Sequence, residues 1–139
     1  MLLIAAWIVN ALGLGFGAFL GLRGLIDPKW AQRLVRLTPD QQGGGFAEFR
    51  ATYGGVFLGL HGVALLMTLL YSLGGEYVVG VAATGAAAVL SAGWAGAAFG
   101  RVLSMLLDGA DTKFNRLSVG VEVALALAIA APWFAWLLD

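Results

Sequence analysis

Four stretches of this 139-residue chain, residues 2–22, 46–73, 77–107 and 117–138, are apolar and nearly free of charge over a length of about 20 residues or more. That is the length an α-helix needs to cross a hydrocarbon core of about 30 Å. Lipid offers the backbone no hydrogen-bond partners, so a segment inside it must satisfy its own N–H and C=O groups, and a helix does so. The first stretch has Asn10 as its one strongly polar group and ends at Arg23; the second passes through Glu48, Arg50 and His61; the third, rich in Ala and Gly, carries Arg101 near its far end; the fourth contains Glu122. Composition agrees: 60% of residues are hydrophobic and 12% charged, where a soluble domain carries about 25% charge. The expected fold is all-α, an integral membrane four-helix bundle forming a single domain over residues 1–139, with a short amphipathic interfacial helix between the first and second spans. No Lys or Arg precedes Leu22, so the first stretch is expected to be a retained helix rather than a cleaved signal.

The connections carry the polar residues. Asp27-Pro28 is a helix start, with Asp as N-cap and Pro at the first helical position. Behind it Trp30, Leu34, Val35 and Leu37 alternate with Lys29, Arg33 and Arg36 at helical spacing, as in a helix lying among lipid headgroups. Thr38-Pro39-Asp40 is expected to stop that helix, and Gln41 to Gly45 to form a hinge. Gly74-Gly75 marks a tight turn, and residues 108–113 a short polar one. Lys and Arg accumulate on the cytoplasmic side of membrane proteins. Here Arg23, Lys29, Arg33, Arg36 and Arg50 lie in or beside the first connection, and Arg101, Lys113 and Arg116 in or beside the third, which accounts for all eight. Both termini and the Gly74-Gly75 turn are therefore expected outside the cell, in a multi-pass protein of the bacterial inner membrane.

Lipid tails are as apolar as Leu, so helices in a bilayer associate through close backbone contact and interhelical hydrogen bonds. Repeats of small residues at Gly13/Gly17/Gly21, Gly55/Gly59 and Gly96/Gly100/Ser104 offer smooth helix faces for such contact. The third span, poor in large side chains between Val81 and Gly96, is expected to be the most enclosed. Trp7, Trp133 and Trp136 are placed for an outer aromatic belt and Trp30 for an inner one, with Trp94 packed inside the bundle or against a partner.

Ionisable groups in a membrane span cost about 2.5–3.5 kcal/mol on insertion scales, so each calls for a partner or a wet cavity. Glu48, Arg50, Arg101 and Glu122 all fall within about two helical turns of one membrane face. With Tyr53 one turn above Arg50, they form a candidate ligand-binding or charge cluster. Arg101 and Glu122 are the expected pair, from adjacent helices at similar depth, with Asn115 and Ser118 on the Glu122 face. Glu48 is placed on the Gly55/Gly59 face at the closest helix contact, and Arg50 on the face of Phe57 and His61. Asn10 and His61, both nearer mid-membrane, form a second candidate pair. No catalytic residue emerges: there is no nucleophile beside a base, no phosphate-cradling loop and no paired-carboxylate helix motif. One His and no Cys leave a metal shell unfilled, so no metal and no cofactor are expected. Zero net charge, with no basic face in excess, excludes nucleic acid as a partner.

The octapeptide Glu48-Phe49-Arg50-Ala51-Thr52-Tyr53-Gly54-Gly55 resembles the E-x-R-A-x-Y-G-G signature of a bacterial family of small four-helix membrane proteins, a domain family with no assigned function. The similarity extends over Gly100-Arg101, Asp108-Gly109, Glu122 and the Gly-rich first helix ending in Asp27-Pro28. It implies four spans and marks Glu48, Arg50, Tyr53, Arg101 and Glu122 as one group. A second likeness, to DoxX-type four-helix proteins, rests on the first helix and its Asp-Pro exit alone. The expected function is that of a non-enzymatic polytopic protein whose bundle binds a lipid-like ligand or a partner subunit near the charge cluster. The alternatives are a small transporter or channel acting as a homo-oligomer, with His61 and the arginines along its path, and a membrane enzyme acting on lipid or quinone.

Overall fold

The computed structural model describes residues 2–38, 41–42 and 44–138. Among them the regular structure is entirely helical: α1 (Leu2–Ile26), α2 (Pro28–Val35), α3 (Gly44–Glu48), a π-helical segment (Phe49–Val56), α4 (Phe57–Ser72), α5 (Tyr77–Leu107), α6 (Lys113–Ile129) and α7 (Ala131–Leu138). α1, α5 and the continuous run Gly44–Ser72 are each long and apolar enough to cross a membrane; α6 and α7 together qualify as a fourth such element, bent by 52°. The chain divides into two compact units, one of Met1–Gly13 with Met67–Asp139 and one of Leu14–Leu66.

In the unit of residues 14–66, α1 ends where Pro28 forces it to. A residue before proline is pushed out of the helical region, and Asp27 sits at φ −122°, ψ 84°. Its carboxylate accepts a hydrogen bond from the Trp30 N–H at 3.1 Å, and Pro28 takes the first position of α2, where its missing N–H costs nothing. The helix expected from the Asp-Pro signal is therefore present. It stops earlier than expected: Arg36 adopts the left-handed conformation (φ 59°, ψ 32°) and caps α2 itself. Of the expected stop, Pro39 and Asp40 lie outside the described residues.

The helix from Gly44 to Ser72 begins within the expected hinge, of which Gly43 lies outside the described residues, and is not α-helical throughout. Over Phe49–Val56 the hydrogen bonds run i to i+5, a register that is rare and mostly confined to short bulges, often at functional sites. Close packing accompanies it. A Cβ on Gly21 would collide with the Leu58 backbone, one on Gly24 would stand 2.6 Å from the Tyr53 carbonyl oxygen, and one on Gly54 would stand 2.8 Å from the Leu25 Cα. Of the expected small-residue contacts in this unit, those at Gly17 and Gly21 are made, and in the other unit Gly13 packs against Ile129. Gly55 and Gly59 are not at the closest approach, which falls to Gly54; Gly59 meets nothing within 4 Å. The physical reason is the π register, which takes one more residue per turn and rotates the faces counted from an α-helical ruler.

In the unit of residues 1–13 and 67–139, α4 ends in a Schellman motif. Gly74 at φ +97° turns the chain, with Gly75 N–H donating to Leu70 O at 2.9 Å and Gly74 N–H to Tyr71 O at 3.1 Å. α5 packs along α6 and its Gly80, Ala83, Thr84, Ala87, Leu90 and Ala98 are buried, Gly80 against the Tyr71 ring and Thr84 near Trp133 of α7. Only that face is covered, so α5 is not the enclosed helix its small residues suggested: Gly85, Gly93, Gly96 and Gly100, on the opposite side, meet nothing within 4 Å. Thr112 caps α6 by accepting from Asn115 N–H at 3.2 Å. The last apolar stretch, expected as one helix over 117–138, begins at Lys113 and breaks at Ala130. Pro132 explains the break: it cannot donate to the carbonyl four residues back, and its ring clashes there.

Candidate functional site

Arg101 on α5 and Glu122 on α6 meet. Arg101 Nη2 donates to Glu122 Oε1 at 2.6 Å, and Nε lies 3.1 Å from both carboxylate oxygens. The Glu122 side chain is only 8% exposed, the Arg101 side chain 33%. Arg101 Nη1 reaches Asn115 Oδ1 at 3.4 Å, and Asn115 Nδ2 in turn donates to Ala110 O at 2.7 Å, so the guanidinium is held on two sides. Beside the pair runs an apolar groove of about 350 Å3, walled by Ala95, Ala98, Phe99 and Val102 of α5 and by Val119, Val123, Ala126 and Leu127 of α6. Val102 follows Arg101 directly in the chain and Val123 follows Glu122, while Ala98 and Val119 stand about one turn before them. Ser118, expected on this face, donates to Phe114 O at 3.0 Å, within its own helix.

The same unit holds a second polar chain that begins at Asn10, fully buried on α1. The sequence pairs Asn10 with His61. The partners it takes are Thr68, whose hydroxyl donates to Asn10 Oδ1 at 2.9 Å, and Ile129, whose carbonyl accepts from Asn10 Nδ2 at 2.6 Å. Ile129 O stands at the end of α6, where the break at Ala130 leaves carbonyls without helical donors. Ser91 Oγ donates to Ala126 O at 2.8 Å, a carbonyl that also accepts from the Ala130 N–H, and Trp133 Nε1 donates to Thr84 O at 3.1 Å. Thr68 and Ser91 were missed as partners, although each is a polar residue inside an apolar stretch. Trp7, expected in the outer belt, is 6% exposed and packs edge-on against Tyr71 with ring centroids 5.1 Å apart.

The remaining candidate residues belong to the unit of residues 14–66. Glu48, expected at the closest helix contact, is exposed, because the π register begins directly after it. Arg50 is also exposed, and its Nη1 donates to Leu25 O, one of the last carbonyls of α1. A cation is favoured there, where the terminal carbonyls lack donors and the helix dipole is negative. Tyr53 is half-buried, with its ring 5.8 Å from that of Phe49. His61 is buried over Gly17; its Nδ1–H donates to Phe57 O at 2.9 Å, and its ring stacks on Phe57 at 5.3 Å.

Arg101 and Glu122 thus hold a charge pair in place between α5 and α6, each followed directly in the chain by an apolar residue of the groove wall, Val102 and Val123. Comparison with family models, with curated proteins and with solved structures found no match to this chain.

Proposed function

We propose that this is a non-enzymatic, polytopic protein of the bacterial inner membrane whose four spans form a bundle that binds a lipid-like ligand, with both termini outside. The observation that carries this reading is the Arg101–Glu122 pair next to the apolar groove of α5 and α6. An ion pair between apolar helices costs desolvation that apolar residues of similar size would avoid. An adjoining apolar groove with a polar, partly exposed guanidinium at its side matches an amphiphile with a chain and a polar end. Membership of the four-helix family whose E-x-R-A-x-Y-G-G signature residues 48–55 resemble belongs to the same proposal.

Native mass spectrometry of the protein purified in mild detergent tests it. The expected result is a retained lipid or quinone-sized mass, lost in the groove-filling variant Val123→Trp while folding, read by circular dichroism, is kept. A well-folded wild type with no retained mass would overturn the ligand reading, and a retained protein chain would replace it with the partner-subunit reading. Orientation is checked with single cysteines, since the chain has none. A Cys replacing Glu76 is expected to react with an impermeant maleimide from outside the cell, and one replacing Lys113 only after permeabilisation.

A further inference from the structure

The basic side of α2 lies outside the site just described. On this helix Ala31 is buried and the helix packs on the π-helical segment, which fixes its rotation. With that face turned inward, Trp30 is half-buried and Leu34 is 40% exposed on one flank, while Lys29 and Arg33, one turn apart, are exposed on the other. Arg23, at the end of α1, holds its guanidinium 5.7 Å from the centre of the Trp30 ring. The carboxylate nearest in sequence, Asp27, is engaged with the Trp30 N–H. The ion pairs among the described residues, Arg101–Glu122 and Arg116–Asp111, leave Arg23, Lys29 and Arg33 without an acidic partner.

The geometry points to a binding surface for the headgroup of an anionic phospholipid, formed by Lys29 and Arg33 of α2 with Arg23 at its edge and Trp30 and Leu34 set into the acyl boundary below. Three cations without carboxylates, next to an apolar flank, complement a phosphodiester attached to acyl chains. Helices with a basic face and an apolar one lie in the headgroup plane for the same reason. Trp30 adds an anchor, since indole rings favour that interface, and its contact with Arg23 positions a guanidinium there. The inference rests on the reading that the chain spans a membrane, and it is independent of the groove between α5 and α6.

The test uses the full chain. Flotation of reconstituted vesicles after a carbonate wash first checks the membrane reading: protein left in the soluble fraction overturns that reading and this surface with it. Purified protein in neutral detergent is then titrated with phosphatidylglycerol and with phosphatidylcholine, and bound lipids are counted by native mass spectrometry. The expected result is a preference for phosphatidylglycerol that falls about fivefold for Lys29→Gln or Arg33→Gln and about 30-fold for the double variant. It should also weaken as salt is raised, because exposed charges are screened. Arg116→Gln, which removes an exposed base outside α2, should leave the preference unchanged. Equal binding of the two lipids by the wild type, or a preference that survives the double variant, would overturn the proposal.

Discussion

In the unit of residues 14–66, α1 meets the helix of residues 44–72 through Gly17, Gly21, Gly24 and Gly54, at distances that leave no room for a methyl group. In the other unit α5 meets α6 through Ala and Leu, and side chains tie the helices together: Arg101 to Glu122, Ser91 to Ala126 O, Asn10 to Ile129 O. Both are solutions to association in a solvent that gives apolar surfaces no reason to meet. The first relies on dispersion between backbones and is intolerant of added volume. The second relies on polar groups whose alternative is burial without a partner. The contrast also shows that glycine repeats are not contacts in themselves, because Gly96 and Gly100 repeat at the same spacing as Gly17 and Gly21 and touch nothing.

The sharpest way to break this contrast is to add volume. Gly21→Leu is expected to destabilise by about 3 kcal/mol or more, the upper range for overpacking, because the atoms in its way are backbone; unfolding by SDS in mixed micelles would measure it. Removing one charge comes next. Glu122→Ala is expected to cost about 3 kcal/mol, at the lower end for a broken buried pair because Arg101 is partly exposed. The double variant Arg101→Leu/Glu122→Leu should recover at least half of the loss, and a double variant no better than the single would show that the pair itself is needed. Asn10→Ala removes two hydrogen bonds that other groups in a membrane partly replace, so about 1 kcal/mol is expected, read as a lower melting temperature in detergent. At the small end, Gly96→Ala should stay within about 0.5 kcal/mol, and a larger loss would show that the open face of α5 is covered.

Much of this was legible in the sequence, for identifiable reasons. Asp27-Pro28 predicted α2 because cap chemistry is local. Arg101 and Glu122 could be paired because they sit at similar depth on helices joined by a short turn. The break at Ala130 had its signal in Pro132, which a hydropathy reading passes over because the flanking residues are uniformly apolar. Asn10 could not be assigned its acceptor, since Ile129 O is a backbone atom that becomes available only where the helix breaks. The placement of Glu48 at a close contact failed because face counting assumes α periodicity, and nothing in Phe49–Val56 announces a wider register.

That wider register has a consequence for anyone mapping this helix from outside. A nitroxide scan along residues 44–72, read with a lipid-soluble relaxing agent, should trace two periodic waves, one on each side of Phe49–Val56 and out of phase with each other. A single sine curve fitted through both would assign the wrong orientation to half of the helix. Deleting one residue from the segment should bring the waves into phase by turning α4 about its own axis, and would carry His61 away from the hollow at Gly17.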